Sequence, residues 1–403
     1  MQNIEESYTT YQENLALEKE LNILRNDYYY KMIDSREVAL VDFLYQPLDT
    51  LSGDAYTARI IDENRTFYLL VDGMGKGLSA SLTAMSATIF INHLIDKMLE
   101  HESFSLDILI KESMDFMKPL LLDEEALSID YILFDSYFAQ LEYAKFSMPP
   151  FLLEDDKRKI IKIKSNNPPM SKWNKSYKID RCSVKSINKF LFYSDGMVEN
   201  STNDGFVYSK YIVDDFLNAY TKEDIKQSFL SKIAEQEDDI TFIFINKLQL
   251  NEDTLMQNMT FETSLDAVSK ANEWYQNLYA DETASIAFNE LFMNAYEHGN
   301  LGLDTKTKHK LLEDDIYFES LLEHEKDCKK KITVKIYKIK HLHNSYIITK
   351  IIDEGKGFDT KMLSAIFRHS QKFNGRGVYV SRKNSMGIYY NYKGNSVLFL
   401  NKV

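Results

Sequence analysis

Five aspartates stand where an apolar run meets a turn. Asp54 lies in Leu51-Ser52-Gly53-Asp54, and Asp72 ends a run in Val71-Asp72-Gly73-Met74-Gly75-Lys76-Gly77. Asp195 follows Tyr193-Ser194, and Asp238 and Asp239 precede Ile240–Ile245. A carboxylate beside a buried strand projects from the sheet edge, so several such edges can converge on one point. Clustered carboxylates raise one another's pKa. Hard divalent cations remove that conflict, and Mg²⁺ or Mn²⁺ suits an all-oxygen site. Two such ions can activate a water and neutralise a phosphoryl group during in-line attack. Taken singly, each of these aspartates reads equally as a turn residue, since Asp-Gly is a common turn signal.

A second group of polar residues lies towards the C-terminus. In the stretch 287–300, Glu290, Asn294 and His298 fall four apart and share one helical face, with Leu291 and Ala295 on an adjacent packing stripe. A run from Tyr346 to Ile351 leads into Asp353-Glu354-Gly355-Lys356-Gly357. An aspartate there can accept a hydrogen bond from an adenine amino group, and the glycines let backbone approach a nucleotide. In Asn374-Gly375-Arg376-Gly377, backbone N–H groups at a helix start can hold phosphates. Each segment alone also fits a solvated helix face or a turn.

The elements that must position these residues fall into three parts. Residues 1–33 read as helix, with Leu17, Leu21, Leu24 and Tyr28 forming one stripe. This is a short coiled coil that would make a homodimer, or a helix packed on its own domain. Residues 34–249 mix strands (Phe67–Val71, Lys189–Tyr193, Ile240–Ile245) with helical stretches near 77–99 and 105–122, and 136–153 reads as strand, turn, strand. The irregular order predicts an α+β sandwich. Residues 250–258 are polar and read as a linker. A second domain over 258–403 opens with helix at 264–299, continues through a charged insert at 305–331 and a hairpin turning near His343, and ends in a strand at 396–401.

At 403 residues the chain is long enough for two cores. The formal net charge of −13 argues against nucleic-acid binding. No apolar run approaches the roughly 20 residues of a membrane span, and the acidic N-terminus lacks a signal core, so a cytoplasmic location is expected. The two cysteines, Cys182 and Cys328, lie far apart, which disfavours a zinc site or disulfide framework.

The segments SGDAY, VDGMGKGLSASL, YSDGMVEN and EDDITFIFI resemble, in order, the signatures of PPM-type phosphatases of the SpoIIE/RsbU group across nearly all of 40–246. The resemblance implies an αββα sandwich. It implies two Mn²⁺ or Mg²⁺ ions, with Asp72 bridging them, the Gly73 carbonyl on one, Asp195 and Asp238 completing the other, and Asp54 holding water at the metal. Asp239 ranks behind Asp238 as a ligand. The group's usual Gly-His-Pro-Pro turn is here Ser147-Met148-Pro149-Pro150, and its usual histidine after the metal aspartate is Lys76.

The three C-terminal segments resemble the N, G1 and G2 boxes of GHKL ATPases, an α/β sandwich, and look most like the RsbW/SpoIIAB anti-sigma serine kinases over roughly 260–403. By that resemblance Glu290 is the general base and Asn294 holds Mg²⁺ on ATP. Asp353 binds adenine, while Gly355, Gly357, Gly375, Arg376 and Gly377 shape the pocket. No histidine lies in a phosphoacceptor box of the histidine-kinase kind. The two resemblances imply a partner-switching regulator in which the kinase phosphorylates, and the phosphatase dephosphorylates, a STAS-domain anti-sigma-factor antagonist. A sigma factor is a further expected partner, and a receiver or sensor on another chain is expected to supply the input. The alternative is a phosphatase whose ATPase domain only grips ATP and a sigma factor or antagonist.

Overall fold

The computed structural model describes residues 15–16, 19–20, 22–25, 30–32 (backbone), 37–279, 281–360 and 376–403. The chain divides into two compact units, built mainly from Asp42–Asn246 and from Lys247–Val403. The stripe positions Leu17, Leu21 and Tyr28 lie outside the described residues, so a coiled coil over 1–33 cannot be traced. Leu24 is buried. Tyr30–Met32, expected as helix, is instead strand β1, paired antiparallel with β2 (Glu37–Gln46).

The first unit continues with β3 (Asp54–Ile60), β4 (Arg65–Gly73), helices α1 (Leu78–Glu100) and α2 (Leu106–Met117), and strands β5 (Leu127–Asp135), β6 (Gln140–Phe146), β7 (Phe151–Asp155), β8 (Ile160–Ile163), β9 (Asp180–Ser183) and β10 (Ile187–Tyr193). Helices α3 (Gly196–Glu199), α4 (Ile212–Asn218) and α5 (Lys222–Lys232) precede β11 (Ile240–Gln249). One sheet runs β3-β4-β5-β6-β9, the other β1-β2-β11-β10-β7-β8. The sheets face each other through aromatic rings: Tyr68 meets Phe192 at 6.1 Å, Phe134 meets Phe190 at 5.8 Å, and Tyr143 meets Phe151 at 6.0 Å. Strands covered on both faces need continuous apolar runs, which is why Thr66–Val71 and Phe190–Tyr193 are buried without alternation.

Helix α1 covers the outer face of β3 and β4. Its stripe of Ala80, Ala84, Ala87, Ile91 and Ile95 is buried, and the small residues let the helix approach closely. Among the described residues α1 is also the one helix long and apolar enough to cross a membrane. On the opposite sheet, Phe216 and Phe229 of α4 and α5 pack with Leu191, Phe242 and Phe244. The layer order is therefore helix, sheet, sheet, helix.

The turn between β6 and β7 is pinned from below. Buried Lys145 pairs with buried Asp130 at 2.6 Å and donates to the Pro149 carbonyl at 2.9 Å. Ser147 in that turn takes φ = 64°, a left-handed conformation that strains a residue with a Cβ. Ser147→Gly is expected to stabilise the chain by about 0.5–1 kcal/mol. Urea denaturation checks this; an unchanged or lowered midpoint would count against the strain.

The second unit holds β12 (Leu255–Glu262), α6 (Leu265–Leu278), α7 (Glu282–Asn294), a π-helical turn (Ala295–Asn300), α8 (Thr305–Glu313), α9 (Tyr317–Lys326), β13 (Lys331–His341), β14 (Asn344–Asp353), α10 (Arg376–Lys383), β15 (Gly387–Tyr390) and β16 (Ser396–Lys402). Its antiparallel sheet runs β12-β13-β14-β16-β15. Of the expected linker at 250–258, residues 255–258 are instead the start of β12, an edge strand whose side chains are exposed or half-buried. Tyr275 of α6 stacks on Phe288 of α7 at 4.1 Å and shares a 2.9 Å hydrogen bond with Thr349 of the sheet. The charged insert is the helix pair α8–α9. It is tied to the π turn at buried Glu297, which accepts from Lys308 at 2.5 Å and from the Tyr317 hydroxyl.

Candidate functional site

In the first unit, Asp54 opens β3 and faces Asp72 of β4 as its register partner. On the other sheet, Asp195 follows β10, Asp238 and Asp239 precede β11, and those two strands are neighbours. The Ser194 N–H donates to the Thr241 carbonyl at 2.9 Å, closing the two strand ends together. Edges from both sheets thus deliver their carboxylates to one end of the sandwich.

The electrostatics record how close they come. Burial, then the charges of Asp54 and Asp195, pushes the Asp72 carboxyl up to about 10. Asp195 neighbours Asp72, and its own carboxyl is raised by burial and then by Asp238. Asp54 is held well above the usual carboxylate range, chiefly by burial. The hydroxyls of Ser194 and Thr241 oppose that shift, and the charges of Asp239 and Asp195 add to it.

Among the described residues these groups do not close into a preformed set of three ligands. The donors nevertheless fit a hard divalent cation. All are oxygens, they resist carrying charge together, and Asp54 Oδ2 is buried with no hydrogen-bond partner. A buried acceptor left unpaired is costly unless something meets it.

Lys76, where the resembling phosphatases have histidine, reaches Asp238 Oδ2 at 3.1 Å and donates to the Glu237 carbonyl at 2.7 Å. Asp239 has a different task, which the sequence did not indicate. Its two oxygens accept the backbone N–H groups of Leu48 at 2.7 Å and Gly53 at 2.6 Å, fixing the turn that leads into Asp54. Asn200, also missed, accepts the Glu237 N–H at 2.7 Å and donates to the Gly196 carbonyl.

Two glycines let these loops meet. A Cβ on Gly73 would lie 2.5 Å from the Ala80 carbonyl oxygen, and one on Gly196 would lie 2.0 Å from the Asp239 carbonyl oxygen. Backbone cannot yield as a flexible side chain can. Gly196→Ala is expected to lower stability by about 2–3 kcal/mol, measured by thermal or urea unfolding. A variant as stable as the unmutated chain would show that the loops part without cost.

In the second unit, α7 carries Glu290 and Asn294 one turn apart. A Cβ on Gly377 of α10 would stand 2.5 Å from Glu290 Oε2 and 3.8 Å from Asn294 Nδ2, so the start of α10 abuts that face. Asp353, ending β14, is 8% exposed. Its Oδ1 accepts the Gly355 N–H at 2.8 Å. Burial pushes its carboxyl up to about 6, against the Gly355 N–H and the Lys330 charge. Gly299 and Gly355 allow the π turn to meet the loop over Asp353: a Cβ on Gly299 would lie 2.5 Å from the Asp353 carboxyl carbon, and one on Gly355 2.2 Å from the Gly299 carbonyl oxygen. Gly357 has φ = 76° and abuts the Lys393 carbonyl.

His298 departs from its expected place. The α-helix gives way to a π turn at Ala295, so the four-residue period ends at Asn294, and the imidazole Nδ1 meets the Leu303 carbonyl. Gly375 and the side chain of Arg376 lie outside the described residues.

Part of the chain matches a known family model. Residues 62–247 match the family model of Stage II sporulation protein E (SpoIIE). Phosphoserine phosphatase RsbP of Bacillus subtilis (strain 168) is 23% identical over 219 residues, which cover 51% of this chain and 52% of RsbP. The chain therefore spans about half the length of that curated relative. Among solved structures, the RsbU and RsbW domains of Rv1364c from Mycobacterium tuberculosis are 14% identical, with 90% of this chain and 92% of that chain covered and a TM-score of 0.47. The PP2C domain of SiaA from Pseudomonas aeruginosa is 19% identical, with 51% and 84% covered and a TM-score of 0.44.

Proposed function

We propose that this chain is a divalent-metal-dependent phosphatase of phosphoserine and phosphothreonine in proteins, joined to an ATP-binding unit of the GHKL type that phosphorylates the same partner. The observation that carries the first half is the meeting of Asp54, Asp72, Asp195 and Asp238 at one end of the two-sheet sandwich, where burial first and neighbouring charges second raise the carboxyls of Asp54, Asp72 and Asp195. The SpoIIE match over 62–247 supports it.

Asp72, the Gly73 carbonyl, Asp195 and Asp238 would hold two Mn²⁺ or Mg²⁺ ions. When bound, such ions activate water and neutralise charge on a phosphoryl group. Asp54 Oδ2 is free to orient or accept a proton at that point. A thiolate nucleophile is disfavoured at Cys182, since burial pushes that thiol up to about 11. Neither Cys182 nor Cys328 lies in a phosphate-loop context, and we take direct attack by water without a phosphoenzyme as the chemistry.

In the second unit, Asp353 would accept from adenine, Asn294 would hold Mg²⁺ on the phosphates, and Glu290 would take the proton from a serine or threonine hydroxyl. Gly355, Gly357, Gly375, Arg376 and Gly377 would line the nucleotide. Positioning and electrostatics would supply most of that catalysis. Paired opposing activities suit a partner switch in the cytoplasm. The partner would be a STAS-domain anti-sigma-factor antagonist, with a sigma factor as a further ligand of the ATP-binding unit.

Intact-mass spectrometry of a phosphorylated STAS-domain protein tests this. The protein is expected to lose its phosphate with the chain and Mn²⁺, and the dephosphorylated form to regain it with ATP and Mg²⁺. Loss of phosphate in the presence of a chelator would defeat the metal-dependent reading.

A further inference from the structure

Glu20 is a charged residue that the proposed chemistry does not use, yet it is 1% exposed. Its Oε1 accepts the Ser52 N–H at 2.9 Å, and its Oε2 is buried with no hydrogen-bond partner. Ser52 is itself fully buried, and its Oγ accepts the Asp54 N–H at 3.0 Å. Two consecutive hydrogen bonds therefore run from Glu20 to the residue that opens β3. Tyr45 lies alongside, its hydroxyl 3.5 Å from the Asp54 carbonyl oxygen.

The contacts continue along the same short segment. The Ile23 carbonyl accepts from the Asn92 amide at 3.1 Å. The Arg25 carbonyl accepts the Ala58 N–H at 2.7 Å and the Thr57 hydroxyl at 3.0 Å, and the Arg25 guanidinium pairs with Asp96 at 3.0 Å. Thr57 and Ala58 belong to β3, and Asn92 and Asp96 to α1. Since β3 is the edge of its sheet, it has no strand on that side to hold it. Glu20, Ile23 and Arg25 stand there instead, fastening β3 at its start and its middle and joining it to α1.

We infer that Glu20 is a positioning residue of the divalent-cation site, and that Glu20, with Arg25, braces β3 so that Asp54 meets the metal. This rests on the reading of Asp54, Asp72, Asp195 and Asp238 as a cation site. The buried carboxyl is the informative feature. An edge strand is covered as well by any backbone, whereas a hydrogen bond delivered to the Ser52-Gly53-Asp54 turn bears on where Asp54 is held. Groups that orient metal ligands from behind commonly change metal affinity by 10- to 100-fold when removed.

The test is calorimetric titration of the full chain with Mn²⁺, alongside thermal unfolding without metal. Glu20→Ala is expected to weaken Mn²⁺ binding at least about tenfold. Glu20→Gln keeps the acceptor for Ser52 and is expected to stay within about threefold of the unmutated chain. Glu20→Asp is one methylene shorter, withdraws the acceptor while keeping the charge, and should resemble Glu20→Ala; it serves if the alanine variant does not fold. Equal Mn²⁺ affinity in all four proteins overturns the positioning role and leaves the cation site standing. A glutamine variant as weak as the alanine one overturns it too. If the unmutated chain binds no Mn²⁺, the cation site itself fails and the inference falls with it.

Discussion

Asp72→Asn is expected to reduce manganese-dependent phosphatase activity to background and, in the same protein without metal, to raise thermal stability. The two effects share one cause. Asp72 is half-buried beside Asp54 and Asp195, and its carboxyl rises from an ordinary 3.8 to about 10. The folded chain therefore holds a proton that the unfolded chain releases throughout that interval. The penalty is absent well below pH 3.8 and grows as pH rises through the interval. Asparagine removes the ionisable group and with it the penalty. A bound divalent cation offsets the same repulsion, so Mn²⁺ should raise the melting temperature more at pH 8 than at pH 6. Melting curves across that range, with and without Mn²⁺, check this. A melting temperature indifferent to Mn²⁺ at both pH values would rule out the site.

The second large effect belongs to the other unit. Glu290→Gln is expected to bind ATP within about threefold of the unmutated chain yet transfer no phosphate. Asp353→Asn is expected to lose ATP affinity by about 10- to 100-fold, or about 1.4–2.7 kcal/mol. The geometry separates the roles. Glu290 lies beside the Gly377 end of α10, where phosphates would come, whereas Asp353 lies under Gly299 and Gly355. Burial raises Asp353 to about 6, so it is mainly ionised at pH 7 and takes a proton as pH falls through 6. A protonated carboxyl is a poorer acceptor for an adenine amino group, and ATP affinity should fall below that pH. Calorimetry reads the binding, and labelled ATP with a STAS-domain protein reads the transfer. ATP binding without transfer in the unmutated chain would favour a nucleotide-dependent binding module.

What the sequence made legible follows from where its signals are strong. Asp72 and Asp195 could be placed because each ends a run of β-branched or aromatic residues and is followed by, or lies one residue before, a chain-turning glycine. The Glu290–Asn294 pair could be placed because one helical period joins them. Strand β12 was read as linker because an exposed edge strand keeps polar residues on both faces and shows little alternation. The change to a π turn at Ala295 leaves no compositional mark, and there the His298 imidazole meets the Leu303 carbonyl. Glu20 was one charge among many in an acidic segment; its burial depends on Ser52, 32 residues away. The role of Asp239 was hidden by its neighbour, since two adjacent aspartates differ only in which way each turns.

Asp239 also bears on how the first unit can deform. Its carboxylate grips the amides of Leu48 and Gly53, while its own carbonyl rests against Gly196. One residue thus latches an entry turn of the β3 sheet to the loop after β10, which holds Asp195. Sliding of one sheet over the other must begin at the far end of the sandwich. The Leu48 and Gly53 amides should accordingly be among the last on those turns to exchange their hydrogens with solvent.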